Sequence, residues 1–375
     1  MKHIVIVGGS FAGVSTAHQI LRQVNKSNRP PTVKVTLVSR DTHFYWNIAS
    51  PRAIACASDV PDETLFASIK GGFAKYPKAQ FEFVLGSAVG LDLEAKVLQV
   101  SGGLEVKYDI LVIGTGADTA VPTPLKSRGS TESTKEALHE YQEQVKTANS
   151  ILVAGAGPTG VELAGELSYQ FGSEKKIILV LDKARVLAGP GRPDSLFSTA
   201  ESHLRSLNVD IRPNTKVETA KKQVDGTWEF TTSLGNVIKA DMYIPTFGVK
   251  PNSSFLPREV LDNNGFVQVD HHLVVKGTKN VYALGDVSSL EPPQFVFVKA
   301  QSTYLANSIV LQITGREGSV VPYKPASSAM MGLQVGRKLG VGHYGSWRVP
   351  GILVAYMRKT LFVEDLPRTV DGSAF

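Results

Sequence analysis

The stretch Ile151-Leu152-Val153-Ala154-Gly155-Ala156-Gly157-Pro158-Thr159-Gly160 decides how the rest of this chain is read. Four apolar residues in a row suit a strand buried on both faces of a parallel sheet. The three glycines that follow each serve a separate need: a tight turn at Gly155, backbone approach to a pyrophosphate at Gly157, and close helix-strand packing at Gly160. Such a motif is weak evidence alone, but here it leaves a strand and opens a helix over Val161 to Tyr169, whose first N–H groups are free to bind phosphate. A second strand, Lys176-Ile177-Ile178-Leu179-Val180-Leu181, then ends at Asp182, 22 residues after Gly160. A carboxylate at that place accepts hydrogen bonds from a ribose diol and repels a 2′-phosphate, while Lys183 and Arg185 beside it could accommodate one.

Working outward, a second copy of the pattern stands at the start of the chain. Ile4-Val5-Ile6-Val7 runs into Gly8-Gly9-Ser10-Phe11-Ala12-Gly13, followed by Val14, Ala17, Leu21 and Val24 at helical spacing, an ending at Pro30-Pro31, and the strand Val33 to Val38. This copy departs from the pattern in two ways. Ser10 replaces the second glycine, so its side chain must point away from the phosphates or donate to them. No acid ends the second strand either: Ser39-Arg40-Asp41 follows Val38, leaving Ser39 as a weaker ribose partner and Asp41 too far along. Two further strands end in glycine turns, Tyr108 to Ala117 through Gly114-Thr115-Gly116, and Asn280 to Asp286. Asp286 can be an N-cap, but a carboxylate at a strand end also suits the ribityl hydroxyls of a flavin. The segments Pro122 to Ser133 and Phe247 to Ser254 read as loop crossings between domains. From about residue 320 the chain becomes turn-rich over Gly332 to Gly345, then apolar over Ile352 to Tyr356, which reads as a third, smaller unit.

Composition narrows the function classes. The chain has 375 residues, 42% hydrophobic and 20% charged, which suits two or three ordinary domains. A net charge of +6 favours anionic partners such as phosphorylated cofactors, but its dispersal gives no reason to expect nucleic acid. One cysteine, Cys56, permits neither an internal disulfide nor a Cys-x-x-Cys pair, so redox chemistry must use a bound cofactor or a single thiol. Without an adjacent activating group, Cys56 reads as a small buried hydrophobe. The eight histidines show no metal spacing, His271-His272 falling on an expected strand, and no metal is expected. The N-terminus lacks a secretory pattern, Lys2 excludes N-myristoylation, and no apolar run reaches about 18 residues. A soluble cytoplasmic protein, or one peripheral on a membrane, is expected.

Taken together, Gly8 to Gly13, Gly114-Thr115-Gly116, Gly155 to Gly160 with Val161-Glu162, Thr246 to Asn252 and Tyr282 to Asp286 resemble the two-dinucleotide flavoprotein reductases of the pyridine nucleotide-disulfide oxidoreductase superfamily. Residues His43-Phe44-Tyr45-Trp46-Asn47-Ile48-Ala49-Ser50-Pro51-Arg52-Ala53 resemble its apoptosis-inducing-factor-like branch, which includes the ferroptosis-suppressor type NAD(P)H:quinone oxidoreductases and is related to type II NADH dehydrogenases. The likeness extends through the tail to Leu361-Phe362-Val363.

That resemblance implies an α/β fold of two Rossmann-like domains plus a small C-terminal α+β domain. FAD would be held by residues 1–121 and 248–318, NAD(P)H by an inserted 122–247, and residues 319–375 would lie near the flavin. The implied cofactor-binding set is Gly8, Gly9, Ser10, Ala12, Gly13, Ser39, Arg40, Asn47, Arg52, Val89, Thr115, Gly116, Gly155, Gly157, Pro158, Thr159, Gly160, Glu162, Asp182, Gly248, Gly285, Asp286, Lys299 and Ala300. Glu162 is expected at the junction of nicotinamide and flavin. Lys299, with Gln301, is expected to open a helix aimed at the flavin, and both Glu162 and Lys299 are expected to act in catalysis. The implied reaction takes hydride from NAD(P)H to non-covalent FAD and passes electrons to a quinone or similar small acceptor. A tailoring flavoenzyme for a specialised metabolite and a redox-sensing interaction protein stay open as other readings. Either a monomer or a homodimer is compatible, and the segment Arg348 to Lys359 is a candidate lipid contact.

Overall fold

In the computed structural model, which describes residues 1–27, 31–326 and 330–375, the strand Lys2–Val7 lies at the centre of a five-stranded parallel sheet. Its order is Val281–Ala283, Ile110–Ile113, Lys2–Val7, Val33–Ser39, Phe81–Leu85. One edge strand therefore comes from far along the chain, so this domain is assembled from two separated segments. Val14, Ala17, Leu21 and Val24 of the helix Phe11–Lys26 are fully buried. Pro30, expected to end this unit, lies outside the described residues.

The second motif builds a four-stranded parallel sheet in the order Asp210–Arg212, Lys176–Val180, Ser150–Ala154, Met242–Pro245. Alternation along each central strand sends successive side chains to opposite faces, and the two domains use it alike. Ile4 and Ile6 share a core with helix residues, whereas Val5 and Val7 pack with Leu98, Val100 and Val106 of a three-stranded antiparallel sheet. Likewise Ile151 and Val153 face the helix Pro158–Phe171, and Leu152 and Ala154 face Phe230, Ile238 and Ala240 of a second antiparallel sheet. Each nucleotide-type unit is thus a parallel sheet between helices and an antiparallel sheet.

The connections between the two domains are more regular than loops. Ala117–Thr119 pairs antiparallel with Val249–Pro251, because two neighbouring crossings satisfy one another's backbone groups. The expected linker also ends early: Ser130 accepts a hydrogen bond from the Ser133 amide and caps the helix Thr131–Thr147.

A third antiparallel sheet, Met330–Val335, Leu339–Tyr344 and Trp347–Val349, carries the helix Gly351–Met357 across it. Glycine is needed at this crossing, since a Cβ on Gly340 would stand 2.5 Å from the Gly351 carbonyl oxygen. The last helix, Asp365–Val370, returns to the first domain, where His18 Nε2 donates to the Val370 carbonyl at 2.8 Å. His271 and His272 occupy a turn rather than a strand, because the Asp270 carboxylate accepts from the amides of His272 and Val274 and bends the chain there.

Candidate functional site

The two glycine turns have the same construction. Gly8 and Gly155 adopt φ of +121° and +103°, and a Cβ on Gly13 or Gly160 would lie 1.9 Å from the carbonyl oxygen of Gly8 or Gly155 respectively. Those contacts seat each helix directly on its turn. A Cβ on Gly157, next to exposed Pro158 and half-buried Thr159, would meet no protein atom within 4 Å, so the backbone there stands open to a ligand. Ser10 takes the corresponding place in an extended conformation, exposed and making no capping bond to its own helix, whose next residues, Phe11 and Ala12, turn inward. Both sets of free helix N–H groups fit the diphosphate of a dinucleotide.

Beyond the turns, the two units differ. Asp182 is exposed at its strand end, with Lys183 at 3.6 Å. Arg185 is bonded to Glu201 at 2.8 Å and Ser198 at 3.1 Å. In the first unit Ser39 is buried under Gly9, donates its hydroxyl proton to the Asp41 carbonyl at 2.9 Å and accepts from the Asp41 amide. The one donor expected to reach ribose is used inside the turn. Asp41, set aside by its spacing, instead accepts from Ser127 Oγ, and burial pushes its carboxyl above the usual range. Arg40 donates to the Ser127 carbonyl and to Asp118. These bonds tie residues 118–127 along the edge of the first unit.

Gly285, with φ of +75°, donates its amide to buried Gln301, which in turn donates to Glu291 at 2.7 Å. This fixes the turn that presents Asp286, whose carboxylate lies 3.1 Å from Lys126 Nζ. Lys299 does not open its helix: Phe295-Val296-Phe297-Val298 already begins it, which places Lys299 and Ala300 in the second turn, both exposed. Thr115 donates to the Asn252 carbonyl and accepts from its side chain, so Gly116, with φ of +67°, is braced where the crossings meet. Gly248, at φ of +75°, abuts Ala120 on the same ribbon. Val89 is exposed on the antiparallel sheet of the first domain.

Where the three units meet, ion pairs are buried. Glu162, in the second turn of its helix, accepts from Arg358 Nη2 at 2.7 Å. Burial pushes its carboxyl above the usual range, partly opposed by that guanidinium. Arg52 is enclosed rather than open to a cofactor: it donates through Nε and Nη2 to Glu166, through Nη2 to Gln334, and through Nη1 to the Lys359 carbonyl. Asn47 Nδ2 reaches the Leu125 carbonyl at 3.3 Å, and Trp46 Nε1 reaches that of Leu361 at 2.9 Å. The segment 358–361 is thereby fastened to both nucleotide units. Cys56 is half-buried rather than a core residue, on the wall of a cavity of about 340 Å³ shared with Gln142, Lys146 and Gln170. Its helix ends one residue earlier, which turns the thiol out of the core.

Sequence reasoning missed Lys126, Glu166 and the pairing of Arg358 with Glu162. Glu166 carried one readable signal, its place four residues after Glu162 on the same helical face. Among the described residues no three acidic, histidine or cysteine side chains cluster as metal ligands, and no helix is long and apolar enough to cross a membrane.

Two glycine turns that each fit a dinucleotide, on two α/β units, suit a protein that works with two dinucleotides. The family model described as pyridine nucleotide-disulphide oxidoreductase matches residues 2–307, and the chain belongs to that family. It is 52% identical over 376 residues to oxidoreductase ptaL of Pestalotiopsis fici, covering 100% of both chains. It is 26% identical to human ferroptosis suppressor protein 1, covering 99% of this chain and 96% of that one. The sulfide:quinone oxidoreductase of Aquifex aeolicus shares its fold with a TM-score of 0.77 at 19% identity, covering 98% of this chain and 92% of that one. The protein is an NAD(P)H-dependent flavoprotein oxidoreductase that uses FAD.

Proposed function

We propose that this enzyme passes electrons from NAD(P)H, by way of FAD, to a quinone or a similar small apolar acceptor. Gly8 to Gly13 and Asp286 hold the flavin in this reading, and Gly155 to Gly160 with Asp182 hold the reductant. The observation that carries it is the surface next to the three-unit junction. Arg358, bonded to Glu162, directly follows the helix Gly351–Met357, which buries Val354 and Ala355 but exposes Ile352, Leu353, Tyr356 and Met357. With Trp347 this apolar face offers a hydrophobic acceptor an approach to the junction, and Arg348 and Lys359 flank it for contact with an anionic lipid surface. The quinone named for the structural relative from Aquifex aeolicus supports the same acceptor class.

FAD, when bound, would accept hydride from NAD(P)H and release the two electrons to the acceptor together or one at a time, and the chain supplies alignment, charge and protons. Reducing a quinone to its hydroquinone consumes two protons. Glu162 is suited to hold one at the carboxyl oxygen that Arg358 does not occupy, because burial raises its affinity for protons. The buried Arg52–Glu166 pair keeps that helix fixed against the C-terminal unit. Steady-state oxidation of NADH and NADPH across a panel of benzoquinones and naphthoquinones tests the reading. Strong stimulation by several of them is expected; oxidation that no quinone alters would leave a restricted metabolite acceptor or a sensing role.

A further inference from the structure

We infer that Lys126 is an FAD-binding residue, its ammonium pairing with the cofactor's diphosphate once Asp286 accepts the ribityl hydroxyls. This inference rests on the assignment of Asp286 made above. Lys126 is half-buried on the segment joining the two nucleotide domains, and Asp286 is the one polar partner of its ammonium group among the described residues. Its backbone is fixed: Tyr45 donates to the Pro124 carbonyl, Asn47 to that of Leu125, and Arg40 to that of Ser127. These bonds run from the Ser39–Asp41 turn, at the adenosine end of the first unit, toward the Asp286 turn at its ribityl end. The linker is therefore held to the first unit from its Ser39–Asp41 turn to its Asp286 turn.

In FAD the diphosphate is attached directly to the ribityl chain, so a cation in contact with the ribityl-binding carboxylate is one link away from it. The helix N-terminus at Gly8 to Gly13 offers about half a positive charge, against two negative charges on the diphosphate. The first turn of that helix holds no basic residue. The guanidiniums of Arg40 and Arg52 are occupied, the first by Asp118 and Ser127 and the second by Glu166. Lys126 alone among these cations can change partners by rotating its side chain, and the ribityl hydroxyls would then supply the hydrogen bonds that the Asp286 oxygens lose.

The test follows FAD release from diluted holoenzyme by flavin fluorescence at low and high salt, for wild type, Lys126→Met, Lys126→Arg, Asp286→Asn and the Lys126→Met/Asp286→Asn double variant. A charged hydrogen bond to phosphate predicts that Lys126→Met weakens FAD binding about tenfold to hundredfold. Lys126→Arg should stay near wild type, which also controls for folding. The loss should persist in the Asp286→Asn background, with reduced dependence on salt. If Lys126→Met changes nothing, or its effect disappears in the Asp286→Asn background, Lys126 serves only to pair with Asp286 and the inference is overturned. Unchanged affinity in Asp286→Asn alone would remove the assignment of Asp286 while leaving the Lys126 result to stand by itself.

Discussion

The turns at Gly8 to Gly13 and Gly155 to Gly160 match in backbone and differ in what surrounds them. The second is self-contained: turn, helix, strand and Asp182 all lie within one 32-residue stretch from Ile151 to Asp182. The first borrows. In the proposed reading its carboxylate comes from Asp286; residues 118–127 are tied along its edge through Arg40, and its helix is covered by Phe295–Ile313 and by the C-terminal helix. A local unit can be inserted without disturbing its ligand contacts, whereas the borrowing unit requires the whole chain to be folded before its groove is complete. The inserted position of the second domain fits this division.

The sharpest way to break the comparison is to damage each turn in the same manner. Gly13→Ala and Gly160→Ala both drive a methyl group into a backbone carbonyl at 1.9 Å, which neither neighbour can relieve by rotation. Overpacking of this kind costs roughly 1–3 kcal/mol or more. Gly160→Ala should purify yellow yet fail to bleach with NADH, because only the reductant site is damaged. Gly13→Ala should purify colourless or insoluble. Equal loss of colour in both would show that the second unit is not self-contained, and absorbance spectra before and after anaerobic NADH decide it. Asp286→Ala should likewise release flavin, although the Gly8 turn remains intact.

Next in size is a pH effect confined to the borrowing unit. His18 is fully buried, stacked on Phe73 at 3.8 Å, and burial lowers its pKa to about 4 from an ordinary 6.5. The unfolded chain binds a proton that the folded chain does not between those values. Stability from this residue is therefore complete above pH 6.5, falls as the pH drops toward 4, and is level below that. The whole excursion is about 3 kcal/mol at 1.36 kcal/mol per unit. Denaturant titrations of wild type and His18→Gln from pH 7 to 4 should converge as the pH falls; parallel curves would contradict a neutral buried imidazole.

Smaller still is the effect at Asp182. Asp182→Asn removes the charge that disfavours a 2′-phosphate but leaves Arg185 held by Glu201. The ratio of NADH to NADPH kcat/KM should fall by about tenfold, from the loss of one charge-assisted bond to the ribose. An unchanged ratio would move ribose recognition elsewhere.

The same contrast explains what could be read from the sequence. The two glycine turns, their strands and the buried helical faces at Val14, Ala17, Leu21 and Val24 were legible because periodicity and glycine placement are local signals. The Arg52–Glu166, Lys126–Asp286 and Glu162–Arg358 pairs span 114, 160 and 196 positions, and no local pattern announces them. Arg52 and Lys299 show what a motif does not specify: it fixes the backbone neighbourhood, and only packing decides where a long charged side chain ends. The linker was readable as a crossing from its Pro, Ser, Thr and Gly content, but its pairing with the return crossing depended on two segments meeting in space.

Ser39 gives the finest test of the division. It stands where the local unit would carry its ribose-binding acid, yet its hydroxyl is spent on the Asp41 backbone and its Oγ packs under Gly9. A residue that only shapes the turn should affect stability and leave recognition intact. Ser39→Ala is expected to lower stability by about 1 kcal/mol, the net worth of one hydrogen bond, while FAD affinity changes less than about threefold. A tenfold loss of FAD affinity at constant melting temperature would place this hydroxyl on the ribose. The first unit would then recognise its nucleotide locally after all, with Asp41 and the linker reduced to supporting that contact.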